Sequence, residues 1–306
     1  MTDDRIQNWE RQIDRMVRDP DGREVLLRKL GFRVIPPKHG ACVAVLIPSL
    51  DNVKRDCEKA MEKMLCASRE AGVAIHSVIV YGHSLVHWVR NEMVAELYRE
   101  SGTPWTHVLF IDDDIEPGPD SLVRLLSHEK DIVGALCTVR TDPPNVTLRE
   151  FDDMTGDFKS RLHWKRNELL QIDGIGTGMM LVSRKALDEV GEFYLSCGYE
   201  KRLYGDTPEI QALAVRRRVE FDDKREPRWW KNACWFQCLP ALNGRGEYGE
   251  DISFCLKAKF CGIPVFCDTA VQPKHHGDYG YSVTDFLIYK QELMEEEQAK
   301  AAGGES

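Results

Sequence analysis

The sequence predicts an α/β protein with a mostly parallel central sheet flanked by helices, and two observations carry that prediction. From Cys42 onward, short apolar runs of strand length alternate with longer stretches of helical character. The runs also stop abruptly at polar or turn-forming residues, CVAVLIP at Pro48 and HVLFI at Asp112, as buried strands do at a polar rim.

Taken in order, Ile6, Trp9, Ile13 and Met16 form a helical stripe that Asp19, Pro20, Asp21 and Gly22 interrupt. REVLLRKLGF follows as a second short helix, and Pro36, Pro37 and Gly40 form a linker, so residues 1–40 read as an N-terminal helical extension whose role is packing. The main domain, 41–283, opens with the strand CVAVLIP, after which Ser49 or Asp51 is placed to cap the helix through KRDCEKAMEKMLCASREAG. IHSVIVYG is the second strand, WVRNEMVAELYRES the next helix, and Trp105 to Ile111 the third strand. Pro117, Gly118 and Pro119 turn the chain into SLVRLL, with Leu122, Leu125 and Leu126 at helical spacing, Pro119 near the first position and Asp120 in the first turn. DIVGALC (131–137) is a further strand, TDPPN a turn-rich loop, and GMMLVS (178–183) a strand leading into the helix RKALDEVG. Residues 198–247 are less regular and mix basic with aromatic side chains, which suits either a substrate-facing lid or an aromatic cover for the core. Glu250 and Asp251 then open a helix, IPVFCD is the last short strand, and residues 284–306 form a C-terminal helical tail that frays.

Composition narrows the function. A length of 306 residues with 42% hydrophobic and 30% charged content fits an ordinary globular protein with a sizeable core. A formal charge of -9 argues against a nucleic-acid surface, which needs clustered Lys and Arg. No apolar run reaches membrane-spanning length, which leaves peripheral membrane contact open. MTDDRIQNWE lacks the basic and apolar regions of a signal peptide, and with several of the ten cysteines set in apolar runs the thiols are expected to be reduced and the protein cytoplasmic. There is no CxxC pair, and the spacings of Cys234 with Cys238 and of Cys255, Cys261 and Cys267 specify no zinc site.

The stretch HVLFIDDDIEPGPDSLVRLL organises the rest. Side chains alternate along a strand, so an extended Asp112 and Asp114 point the same way, roughly 6 to 7 Å apart at Cα. Ligands of open α/β sheets bind beyond the carboxyl ends of strands, and three carboxylates packed there call for a divalent cation. The glycines of DGIGTG precede a strand instead of following one, the reverse of a dinucleotide loop, so Gly174, Gly176 and Gly178 are read as letting the backbone approach a ligand or a neighbouring strand.

Six segments in this order, IPSLDN, VRNEMV, FIDDDI, IGTGMMLVS, GEDISFCLKAKFCG and KHHGDYGY, resemble the motif set of family 2-type glycosyltransferases with the GT-A fold, from about Cys42 to Tyr281. The resemblance implies that Asp112 and Asp114 are the outer acids of the DxD motif and hold Mn2+ or Mg2+ with the sugar nucleotide. It makes Asp251 the base that deprotonates the acceptor hydroxyl, with Glu250 beside it, and His275 the late metal ligand, with His276 its close competitor. Donor contacts are implied for Arg90 and Asn91, for Pro48, Ser49 and Asp51 on the nucleotide-side loop, for Asp113, and for Gly176, Thr177 and Gly178. The chain departs from many relatives after the second strand, where YGHSLVHW offers no acid to contact the nucleobase, and the base is left unassigned.

The expectation is a metal-dependent transferase that moves a sugar from a nucleoside-diphosphate sugar to a carbohydrate or other hydroxyl acceptor, with inversion as the expected stereochemistry and retention left open by the sequence. Two alternatives stand beside it. A nucleotidyltransferase also uses an acidic pair on an α/β sheet but more often shows a glycine-rich basic loop near the first strand, which IPSLDNVKR is not. A non-catalytic nucleotide- or carbohydrate-binding protein needs no base at Asp251.

Overall fold

The computed structural model describes residues 40–49, 53–81, 85–99, 105–141, 143, 145–218, 233–277 and 280–303. The expected N-terminal helices, Asp51 and the basic-aromatic residues 219–232 lie outside the described residues.

The first half of the described chain contains β1 (Cys42–Pro48), α1 (Arg55–Glu70), β2 (Ala74–Tyr81), α2 (Val86–Arg99), β3 (His107–Ile111), β4 (Ile115–Glu116), α3 (Ser121–Ser127) and β5 (Ile132–Ala135). Short strands follow: β6 (Thr138–Val139), β7 (Asn145–Val146), β8 (Arg149–Asp152), β9 (Asp157–Ser160) and β10 (Leu169–Ile172). Next come β11 (Met179–Ser183), α4 (Arg184–Leu195), α5 (Gly198–Tyr204), α6 (Pro208–Arg218), β12 (Leu239–Pro240) and β13 (Glu247–Tyr248). The chain closes with α7 (Glu250–Phe260), β14 (Val265–Asp268), β15 (Lys274–His276), β16 (Gly280–Tyr281) and α8 (Val283–Gly303).

Seven strands form the central sheet in the order β2-β1-β3-β11-β5-β14-β10. β1, β2, β3, β5 and β14 run one way, while β11 is antiparallel to both β3 and β5, and β10 is antiparallel to β14. The sheet is therefore mostly parallel, with two reversals that apolar runs cannot announce because they read the same in either direction.

Strand alternation builds two cores. Val43, Val45 and Ile47 of β1 face Met61, Met64 and Leu65 of α1 and Leu122 and Leu125 of α3. Ala44 and Leu46 face the opposite way, toward Val89 and Met93 of α2, Leu187 of α4 and Phe254 of α7. This three-layer arrangement leaves the carboxyl ends of β1, β3 and β5 at one rim.

Local details differ from the sequence reading. The N-cap of α1 is Lys54, with no side-chain cap, so Ser49 does not start that helix. α3 begins at Ser121 with Asp120 as its N-cap, one residue later than the acidic first turn expected. α8 is not a detached tail: Val283 and Phe286 are buried in the core, and Phe286 stacks on Trp164. Residues 198–218 hold α5 and α6 where irregular chain was expected, with Pro208 at a first helical position and three arginines in the last turn of α6. Trp235 and Phe236 are fully buried, and the Trp235 indole donates to the Leu187 carbonyl, so for these residues the aromatic stretch is a core cover and not a lid.

Candidate active site

A cavity of about 400 Å³ opens at the rim where β1, β3 and β5 end. Its floor is the acidic turn. The chain leaves the extended conformation after Ile111, and the Ile115 amide donates to the Asp112 carbonyl (3.1 Å), which closes a tight turn across the three acids. The extended Asp112–Asp114 geometry expected from the sequence is thus replaced by a turn. Asp112, Asp113 and Asp114 nevertheless all line the cavity. The Asp112 amide donates to the Gly178 carbonyl (3.0 Å), which ties this turn to the glycine loop before β11.

β4 places the histidine. It pairs with β15, bringing His275 opposite Ile115 and the His275 Nε2 to 3.3 Å from Asp114 Oδ1. The other ring nitrogen, Nδ1, lies 2.6 Å from the Thr138 carbonyl, so it carries the proton and turns Nε2 toward Asp114. His276, the next residue on the strand, points elsewhere: its Nε2 pairs with Glu116 Oε2 at 2.6 Å. Of the two histidines, His275 lines the cavity.

The three acids meet different surroundings. Asp112 Oδ1 is 2.7 Å from Arg90, whose side chain is 3% exposed and whose other terminal nitrogen is 2.9 Å from Glu250 Oε1. Asp113 accepts a hydrogen bond from Ser49 (2.6 Å), yet burial holds its carboxyl above the usual range against that bond. Burial also pushes Asp114 up, but His275, Arg140 and Lys54 outweigh it and leave this carboxyl below its ordinary value. Burial lowers His275, and its contacts with Asp114 and the Thr138 carbonyl more than restore it, so the imidazole sits above its ordinary value.

The opposite wall is the start of α7. Glu250 and Asp251 stand in its first turn behind Gly249, and burial, reinforced by Glu250, raises the Asp251 carboxyl to about 6. Gly176 lets the backbone pass close to Thr147. A Cβ there would stand 3.1 Å from Thr147 Cγ2, a contact that only movement of Thr147 could relieve, and would meet Asp251 Oδ2 at an ordinary 3.5 Å.

Most residues singled out in the sequence converge. Pro48, Ser49, Arg90, Asp112, Asp113, Asp114, Gly176, Thr177, Gly178, Glu250, Asp251 and His275 all line the cavity. Asn91 is not among them. Its amide donates to the carbonyls of His87 and Phe236 and accepts from the amides of Trp235 and Phe236, clamping that segment to α2. A helix turns about 100° per residue, so neighbours 90 and 91 cannot both face the same cavity. Arg140 and Thr147, which the sequence reading passed over, also form the wall, and Arg140 lies 3.0 Å from Asp114 Oδ2. Arg140 directly follows β6, in the segment beyond the end of β5, and nothing local in the sequence marks it.

Asp114 and His275 fit a divalent cation. Two donors each about 2.1 Å from an octahedral ion lie about 3 Å apart, close to the separation observed. No group of three His, Cys, Asp or Glu side chains among the described residues is disposed to hold a metal by itself, so such an ion would draw its remaining ligands from phosphate and water. All ten cysteines are free thiols.

No protein-family model and no curated protein matches the chain. Among solved structures, it is similar to the catalytic domain of Drosophila beta1,4galactosyltransferase 7 in complex with xylobiose, at 12% identity over 74% of this chain and 65% of that one, with a TM-score of 0.37. It is also similar to GalNAc-T7 with UDP, GalNAc and Mn2+, at 10% identity over 78% of this chain and 44% of that one, TM-score 0.37. A third likeness is to 4-diphosphocytidyl-2C-methyl-D-erythritol synthase from Anaerococcus prevotii DSM 20548, at 10% identity over 72% and 97% of the two chains, TM-score 0.30. These likenesses carry no assignment of chemistry. Among the described residues, no helix is long and apolar enough to cross a membrane.

Proposed function

We propose that the cavity is the active centre of a GT-A-type glycosyltransferase that moves a sugar from a nucleoside-diphosphate donor to an acceptor hydroxyl with inversion. The observation that carries this reading is the meeting, in one cavity, of the Asp114–His275 pair, 3.3 Å apart, with the Asp251 carboxyl raised to about 6. Asp114 and His275 would hold a divalent ion, which when bound would supply charge neutralisation for the departing diphosphate.

The chain's own residues supply the rest. Asp251 accepts the acceptor's hydroxyl proton as that oxygen forms its bond to the anomeric carbon, while the carbon–phosphate-oxygen bond breaks and its electron pair leaves on the diphosphate. A base near pH 6 is ionised at neutral pH and still basic enough to take a proton in the transition state. Arg90 bridges Asp112 and Glu250 and so fixes the distance between floor and wall.

The test is a panel of nucleoside-diphosphate sugars followed by thermal shift with and without Mn2+, then by product analysis. The reading expects at least one donor to stabilise the protein only with Mn2+ and to release a nucleoside diphosphate. Release of pyrophosphate from a nucleoside triphosphate would make it a nucleotidyltransferase, and binding without turnover would make it a binding protein.

A further inference from the structure

Among the described residues five carboxylates line the cavity, Asp112, Asp113, Asp114, Glu250 and Asp251, and a multiply charged diphosphate must enter among them. Among the same residues two arginines share the wall, and they are placed very differently. Arg90 is 3% exposed and committed to two carboxylates, so moving it would strand both acids in a buried setting. Arg140 is 49% exposed and, among the described residues, is tied to the wall's acids by one contact, to Asp114 Oδ2. That oxygen belongs to the carboxylate that also faces His275, so Arg140 and a cation seated there draw on the same charge.

Resting on the functional reading above, we infer that Arg140 is a partner-switching arginine: it neutralises Asp114 until a divalent cation takes that carboxylate, then turns to bind the donor's diphosphate. Electrostatics drive the exchange, because a dication on Asp114 repels the guanidinium while bringing phosphate oxygens within its reach. Its planar fork matches phosphate geometry, and its half-exposed position lets it move without opening the core. The two roles predict effects of opposite sign for one substitution, which a merely structural residue does not produce.

Calorimetry on the full chain reads both roles, with Mn2+ alone and with inorganic pyrophosphate at saturating Mn2+ as probes. Arg140→Ala is expected to bind Mn2+ alone several-fold more tightly, since a competitor for Asp114 is gone. Pyrophosphate should bind about tenfold or more weakly, the scale of a lost charge-assisted hydrogen bond. Arg140→Lys should fall between wild type and Arg140→Ala for pyrophosphate, keeping the charge but not the fork. Unchanged pyrophosphate affinity in Arg140→Ala would overturn the inference while leaving the functional reading intact. Parallel weakening of both ligands would also overturn it and make Arg140 a support for Asp114. A wild-type protein that binds neither probe would overturn the inference together with the reading beneath it.

Discussion

The turn after β3 and the first turn of α7 each put an aspartate into the same cavity, and the two meet opposite fates. Asp114 is buried but faces His275 and Arg140, which hold its carboxyl below the ordinary range. Asp251 is half-buried beside another acid, and its carboxyl rises to about 6. Desolvation acts on both; what differs is the sign of the nearest charge. When environments push two like groups apart in this way, one carboxyl is favoured as the anion and the other keeps its proton to a higher pH, and the proposed roles of Asp114 and Asp251 rest on that split.

The sharpest attempt to break this contrast is Asp251→Asn. Transfer should fall by about 10²-fold or more, while Mn2+-dependent donor affinity, measured by calorimetry, stays the same. The same variant should be more stable. A carboxyl whose folded value is raised favours its protonated form, so its stabilising effect is complete below the unfolded value and lost as pH rises through about 6. Removing the ionised group at pH 7 should therefore add about 1 to 3 kcal/mol, less up to about 1 kcal/mol of lost helix-dipole stabilisation. Normal turnover with a lowered melting temperature would reduce Asp251 to a helix-start acid.

Asp114→Asn tests the other side. Metal-dependent donor binding should weaken by about tenfold or more with the fold intact, and equal donor affinity in chelator and in Mn2+ would remove the cation seat from the wild type. The pH profile sharpens the pair: in the wild type, the transfer rate should climb about tenfold per pH unit up to about pH 6 and level off above it. A rate independent of pH from 4 to 8 would separate the raised carboxyl from the chemistry.

Asn91→Ala is the control that lies outside both regions. With two backbone amides and two carbonyls each losing a side-chain partner, denaturant unfolding should show a loss of about 2 to 3 kcal/mol and near-normal donor affinity. A donor-binding defect at full stability would return Asn91 to the cavity. The smallest effect is expected at Ser49→Ala, about 1 kcal/mol, from the single hydrogen bond to Asp113, again read by denaturant titration.

Much of this was legible in advance because the signals were local. β1 and β3 are apolar runs ended by proline or acid, and the acids after β3 are contiguous, so their arrival at one rim follows from strand geometry. The choice between His275 and His276 was not legible. It depends on the pairing of β15 with β4, a contact made across 158 or more positions that decides which ring faces inward. Asn91 misled because helical phase sets its direction, and only Trp235 and Phe236, far along the chain, show what its amide holds. Arg140 went unremarked because a lone basic residue in a loop carries no meaning until Asp114 is found beside it.

The position of β14 bears on how the chain is made. It sits between β5 and β10 and, among the described residues, supplies the one sheet neighbour of β10, yet Val265 pairs with Ile132, which leaves the ribosome 133 residues earlier. At about 5 to 20 residues per second, the nascent chain waits roughly 7 to 27 s with that edge of β5 unpaired. An open edge of apolar strand is a template for other chains, so this interval is when the protein most needs a chaperone. Chains released before residue 265 should accumulate in the insoluble fraction even though they already carry the whole acidic turn.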